Sequence, residues 1–87
     1  MLPMEKIISC EISFIPIQSE NYKNDVDRVI EIISSYKLEY QVGLLSTTVR
    51  GNKEIIFEML QRISDKMYDK VKFTMVLKIS NECGCNQ

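Results

Sequence analysis

Two periods alternate along this chain. In "KIISCEISFIPI", Ile8, Cys10, Ile12 and Phe14 fall on one side, and Ser9, Glu11 and Ser13 fall on the other. Period two with β-branched residues predicts a half-buried strand over residues 6–15, with Pro16 ending its ladder. The period then changes. Val26, Val29, Ile30 and Ile33 lie on one stripe of a helix predicted over 24–37, with Asn24 as N-cap and Asp25 and Asp27 in its electropositive first turn. "EYQV" predicts a short strand at 39–43, turned by Gly43 into a third strand at 46–50. Asn52 then caps a second helix over 53–69, whose stripe is Ile56, Met59, Leu60, Ile63 and Met67. "KVKFTMVLKI" returns to period two and predicts the last strand at 71–79.

The order β-α-β-β-α-β specifies an architecture. Right-handed crossovers and one hairpin place the first and third strands at the centre of a four-stranded antiparallel sheet. Both helices then lie on one face. This is an α+β, ferredoxin-like fold, expected as one domain over residues 1–80 with a loose tail at 81–87. The helix side collects Cys10, Ile12, Phe14, Tyr40, Val42, Val49, Phe73, Met75 and Leu77, with Thr47 inward beside them. The open side collects Ser9, Glu11, Ser13, Gln41, Ser46, Thr48, Arg50, Thr74, Val76 and Lys78.

The open side is the informative one. A wet face is common in antiparallel sheets. Here, however, the side chains are short hydrogen-bonding groups, and a carboxylate, Glu11, stands mid-strand. Small hydroxyls leave room for a ligand or for a second sheet. A carboxylate among them suits an amino-bearing or cationic heterocycle.

Composition narrows the classes. The 87 residues are 45% hydrophobic and 26% charged, the profile of a globular domain. The net charge of -1 gives no basic surplus for nucleic-acid phosphates. RNA-binding domains of this fold stack bases on aromatics of the two central strands, and none stands on this open face. No apolar run is long enough to span a membrane. "MLPMEKIISC" does not read as a leader, so a cytoplasmic location is expected. There is no histidine, hence no mixed Cys/His zinc site and no imidazole base. No nucleophile-base pair or phosphate loop can be assembled, so no catalysis and no cofactor are expected. Cys10 reads as a buried apolar residue. Cys83 and Cys85, beside Glu82, read as an incidental pair in the tail.

The segments "ISCEISFIP", "YKLEYQVG" and "TTVRG" together resemble the small thiamine-binding proteins, the YkoF-like family. That family shows an opening strand ending near a proline, a short strand of the form Y-x-v-G, and a "TTVEG" strand before its second helix. The resemblance implies a ferredoxin-like subunit that pairs into homodimers or homotetramers. It also implies a small-molecule ligand, thiamine or its hydroxymethyl-aminopyrimidine portion, bound without catalysis at or near a subunit interface. Carried onto this chain, Glu11, Ser13, Ser46 and Thr48 lie near the ligand, and Gln41 stands on the same face as a further hydrogen-bonding partner. One position departs from the pattern: Arg50 stands where many members carry glutamate before the glycine. The rival readings are an oligomerisation module without a ligand and an RNA-binding domain. A face packed against another sheet with no cavity marks the first, and outward aromatics would mark the second.

Overall fold

A computed structural model describes residues 6–82. The elements are β1 (Ile7–Ile17), α1 (Tyr22–Ser34), β2 (Glu39–Val42), β3 (Thr47–Asn52), α2 (Lys53–Tyr68) and β4 (Lys72–Ser80). The strands form one antiparallel sheet in the order β2-β3-β1-β4, so β1 and β3 are central, as the ferredoxin-like fold requires. No helix among the described residues is long and apolar enough to cross a membrane.

The core lies between the sheet and the two helices. Ile8, Cys10, Ile12, Phe14 and Val49 supply it from the sheet, Val29 and Ile33 from α1, and the whole predicted stripe of α2 from above. Val49, Ile56, Met59 and Ile63 are 0% exposed. Each such side chain contributes roughly 1.5–3 kcal/mol of transfer free energy. Phe14 and Phe73 add a tilted ring pair with centroids 4.8 Å apart. Thr47 is buried among these groups, as parity with Val49 demands.

Element ends differ from expectation where local hydrogen bonding decides. Helix α1 begins two residues earlier, because Asn21 is the cap: its side-chain carbonyl accepts from the Asn24 N–H at 3.1 Å. The same helix stops at Ser34, short of Lys37. There the Ser34 and Ser35 hydroxyls donate to the carbonyls of Glu31 and Ile32, competing with another helical turn. Strand β1 runs through Pro16 to Ile17. Its pairing with β3 ends at Ile12, whereas pairing with β4 continues to Ile17. Proline is tolerated where a strand carries only one ladder. Asn52 caps α2 as expected, accepting from the N–H groups of Glu54 and Ile55 at 2.9 and 3.1 Å.

Three residues expected under the helices are only partly covered. Tyr40, Val42 and Leu77 are 43%, 49% and 39% exposed. All three stand on the edge strands, and the core is built over the central pair. Cys10 is free and buried as expected, and its burial raises the thiol pKa above 9.0. Cys83 and Cys85 lie outside the described residues.

Candidate functional site

Strand pairing turns the list of outward residues into a map. One row crosses the sheet as Gln41, Thr48, Glu11 and Lys78, each opposite the next. A second row is Glu39, Arg50, Ser9 and Ser80. On the other side of the first row Ser13 faces Val76. Paired residues of an antiparallel sheet share a face, with Cβ atoms about 4.5–5.5 Å apart. The five candidates read from sequence therefore converge: Glu11, Gln41 and Thr48 in one row, and Ser13 and Ser46 beside it.

Glu11 is the centre of this constellation. The Ser46 hydroxyl donates to its Oε2 at 3.0 Å. The Lys78 ammonium lies 3.8 Å from its Oε1. Each carboxylate oxygen thus has a polar neighbour that bears on its orientation. The group is half open: the Glu11 side chain is 45% exposed and Lys78 is 82% exposed. An ion pair this wet contributes little to stability, so its consequence is placement. A carboxylate offers about four acceptor positions, and these neighbours leave acceptor capacity facing solvent.

Ser46 owes its position to the hairpin. Gly43 N–H donates to the Ser46 carbonyl at 2.8 Å, closing the turn between β2 and β3. A Cβ at Gly43 would stand 3.0 Å from that same carbonyl oxygen, closer than most side chains tolerate. The turn sets Ser46 just before β3, on the Glu11 side of the sheet. Its hydroxyl hydrogen is committed to Glu11, so it is not free to donate elsewhere. Thr48 and Gln41 are exposed and keep their donors.

Arg50 forms the second polar group of the face. Its Nη1 donates to Glu39 Oε1 at 2.9 Å. Glu39, Gln41, Thr48 and Arg50 line a shallow groove of about 280 Å³ along the β2–β3 side. Two contributors were not singled out from sequence as site residues, Lys78 and Glu39. Parity places Lys78 on the correct face, but only the strand register brings it to Glu11. A tighter cavity of about 120 Å³ lies on the opposite side of the sheet, between α1 and the β2–β3 turn. Ile12, Phe14, Val29, Ile33 and Leu44 line it, so it is an apolar pocket of the core edge.

Comparison with known proteins bears on this face. A family model described as "Thiamine-binding protein" matches residues 10–87. Among solved structures, the chain is similar to a protein of Thermotoga maritima described as a candidate for thiamine biosynthesis or salvage. The two are 28% identical, with a TM-score of 0.80 over 90% of this chain and 86% of that one. It also resembles a protein of Streptococcus pneumoniae at 16% identity and a TM-score of 0.81, covering 92% of each chain. A hypothetical protein of Methanocaldococcus jannaschii superposes with a TM-score of 0.78 at 21% identity, over 86% of this chain and 79% of that one. The last two likenesses speak to fold alone. Among curated proteins, no sequence matches this chain.

Proposed function

Since the chain belongs to the thiamine-binding protein family, we propose that it binds thiamine or the hydroxymethyl-aminopyrimidine portion of thiamine on the open face of its sheet, without catalysis. The observation that carries this reading is the oriented carboxylate of Glu11, fixed by Ser46 at 3.0 Å in the middle of a row of small polar side chains. An aminopyrimidine presents an exocyclic amine that donates and ring nitrogens that accept. Glu11 accepts from the amine. Thr48 donates its hydroxyl to a ring nitrogen, and Gln41, next in the row, can donate or accept. Ser46 serves the ligand indirectly, by holding Glu11. Ser13 borders the site on the far side of Glu11 and leaves room for the ring.

A bound heterocycle on so open a face needs a cover. The reading therefore includes a homo-oligomer, dimer or tetramer, with the ligand at or near the subunit interface. Ile15 and Ile17 at one end of β1, and Val76 on β4, support an apolar contact there, since they are 43%, 44% and 53% exposed. The central strands present no outward aromatic, which favours a small ligand over RNA. Calorimetric titration with thiamine and, separately, with hydroxymethyl-aminopyrimidine tests the assignment. Saturable binding of either supports it. Absence of heat and of thermal stabilisation with both would reject the ligand and leave the face as a packing surface.

A further inference from the structure

Arg50 has more hydrogen-bonding capacity than its surroundings use. A guanidinium carries N–H donors on every nitrogen. Among the described residues Nη1 donates to Glu39 Oε1 at 2.9 Å. Nε is buried and has no partner, and a buried donor left unmade is costly. The acid that Arg50 does hold is held loosely. Glu39 stands on the edge strand β2 with its side chain 75% exposed, against 34% for Arg50. A pair this wet adds little stability, so a stronger acceptor can take the place of Glu39.

Position decides what that acceptor belongs to. Thr48 and Arg50 are two residues apart on β3, so they share a face about 6.5–7 Å apart along the strand. The groove of about 280 Å³ that Gln41 and Thr48 line is lined by Arg50 as well. Ser9, opposite Arg50, and Ser80, opposite Ser9, add hydroxyls to the same row. The Ser80 oxygen accepts from the Glu82 N–H at 3.0 Å, which leaves its hydroxyl hydrogen to donate. A guanidinium beside a row of hydroxyls suits an oxyanion, and the fork of an arginine matches phosphate bidentately. On the other side of the Glu11 row, Ser13 faces Val76, and neither brings a charge.

We propose that the Arg50 row is a phosphate subsite, and that the chain prefers the phosphate monoester of hydroxymethyl-aminopyrimidine to thiamine. This rests on the ring lying against Glu11, Thr48 and Gln41, as argued above. In that pyrimidine the exocyclic amine and the hydroxymethyl group stand on adjacent ring carbons. With the amine on Glu11, the methylene points along the strands, and the Arg50 end of the groove is the end that offers a charge. The monoester carries its phosphate one oxygen beyond that methylene, within the spacing of one row. Thiamine carries a thiazolium cation on the same methylene. Arg50 attracts the first and repels the second. The ring contacts are common to both ligands, so Arg50 is the residue that separates them.

Calorimetric titration with three ligands tests it: hydroxymethyl-aminopyrimidine, its phosphate monoester, and thiamine. The native chain is expected to bind the monoester at least about tenfold more tightly than the unphosphorylated pyrimidine, the effect of a hydrogen bond between charged groups. Arg50→Ala is expected to bring these two to the same Kd by weakening the monoester alone. Arg50→Glu is expected to reverse the order and make thiamine the tightest of the three. Thermal melting of both variants checks the fold, and an exposed substitution leaves it intact. Equal affinity of the native chain for the pyrimidine and its monoester would overturn the phosphate subsite and leave the ring site standing. So would a preference for the monoester that survives Arg50→Ala in a folded variant. Tighter binding of thiamine than of the monoester by the native chain would overturn it too. Absence of binding by all three would overturn the ring site and the phosphate subsite together.

Discussion

Ser46 and Glu11 make a two-residue unit whose parts can be separated by measurement. If Glu11 accepts from a ligand amine and Ser46 only holds Glu11, the two substitutions have unequal and coupled effects. Glu11→Ala removes a hydrogen bond to a charged group, worth about 1.5–3 kcal/mol in general. The side chain is 45% exposed, so solvent screens it and the lower end applies. That is about 1.5 kcal/mol, or roughly a tenfold rise in Kd for thiamine. Ser46→Ala leaves the carboxylate in place but unfixed. Its cost is that of one ordinary hydrogen bond, about 0.5–1 kcal/mol, or roughly two- to fivefold in Kd. The double variant is expected to bind no more weakly than Glu11→Ala alone, because Ser46 has nothing left to orient. Calorimetric titrations of the four proteins close the cycle. Thermal stability checks that the fold survives, and exposed substitutions of this kind stay within about 0.5 kcal/mol. Equal binding by wild type and Glu11→Ala would remove Glu11 from the site. Additive losses would show instead that Ser46 touches the ligand itself.

Three further outcomes follow from the fold. Ile56→Ala, at a fully buried position of α2, is expected to lower unfolding stability by about 2–5 kcal/mol in urea titration, through lost transfer energy and a residual cavity. Asn52→Ala strips the cap from the same helix and is expected to cost about 1 kcal/mol by the same assay, with Asn52→Asp recovering most of it. Cys10 keeps its proton to higher pH when folded than when unfolded. Its contribution is therefore constant below the unfolded value of 9.0 and declines above it, as the unfolded chain alone releases the proton. Urea midpoints above pH 9.0 are expected to fall less for Cys10→Ala than for wild type, and equal slopes would show that Cys10 does not contribute.

Parity along a strand is a strong signal because it has only two outcomes. Cys10, Ile12 and Phe14 determine where Glu11 and Ser13 point, and Val49 does the same for Thr47 and Thr48. The stripe of α2 was equally legible, since Ile56, Met59, Leu60, Ile63 and Met67 leave one face only. All five are buried. Helix ends were less so. Asn21 and Asn24 are both competent caps, and the choice rests on which one the chain presents to the first turn as it leaves β1. The exposure of Tyr40, Val42 and Leu77 was hidden for another reason. Alternation says which face a residue takes but not how far two helices extend over it, and a core centred on β1 and β3 ends before the edges.

Register is the quantity that sequence parity leaves open, and it decides the chemistry. Thr74, Val76 and Lys78 all share the open face, so parity alone puts a hydroxyl, an isopropyl or an ammonium opposite Glu11 with equal right. The β1–β4 ladder selects Lys78. With Val76 there, the carboxylate would lose its cation and face an apolar neighbour. With Thr74 there, it would gain a neutral donor. The observed register gives Glu11 a cation at 3.8 Å on one oxygen and a hydroxyl at 3.0 Å on the other. The row of hydroxyls in "STTV" is accordingly not one feature but three. Ser46 fixes the carboxylate, Thr47 fills the core and Thr48 alone remains free to meet a ligand. A substitution series across the three should therefore split cleanly. Thr47→Val is expected to preserve binding while testing packing. Thr48→Val is expected to weaken binding of the pyrimidine by one hydrogen bond, about 0.5–1.5 kcal/mol, without altering the urea midpoint. Loss of binding in Thr47→Val with a native fold would contradict the division of labour that strand geometry imposes.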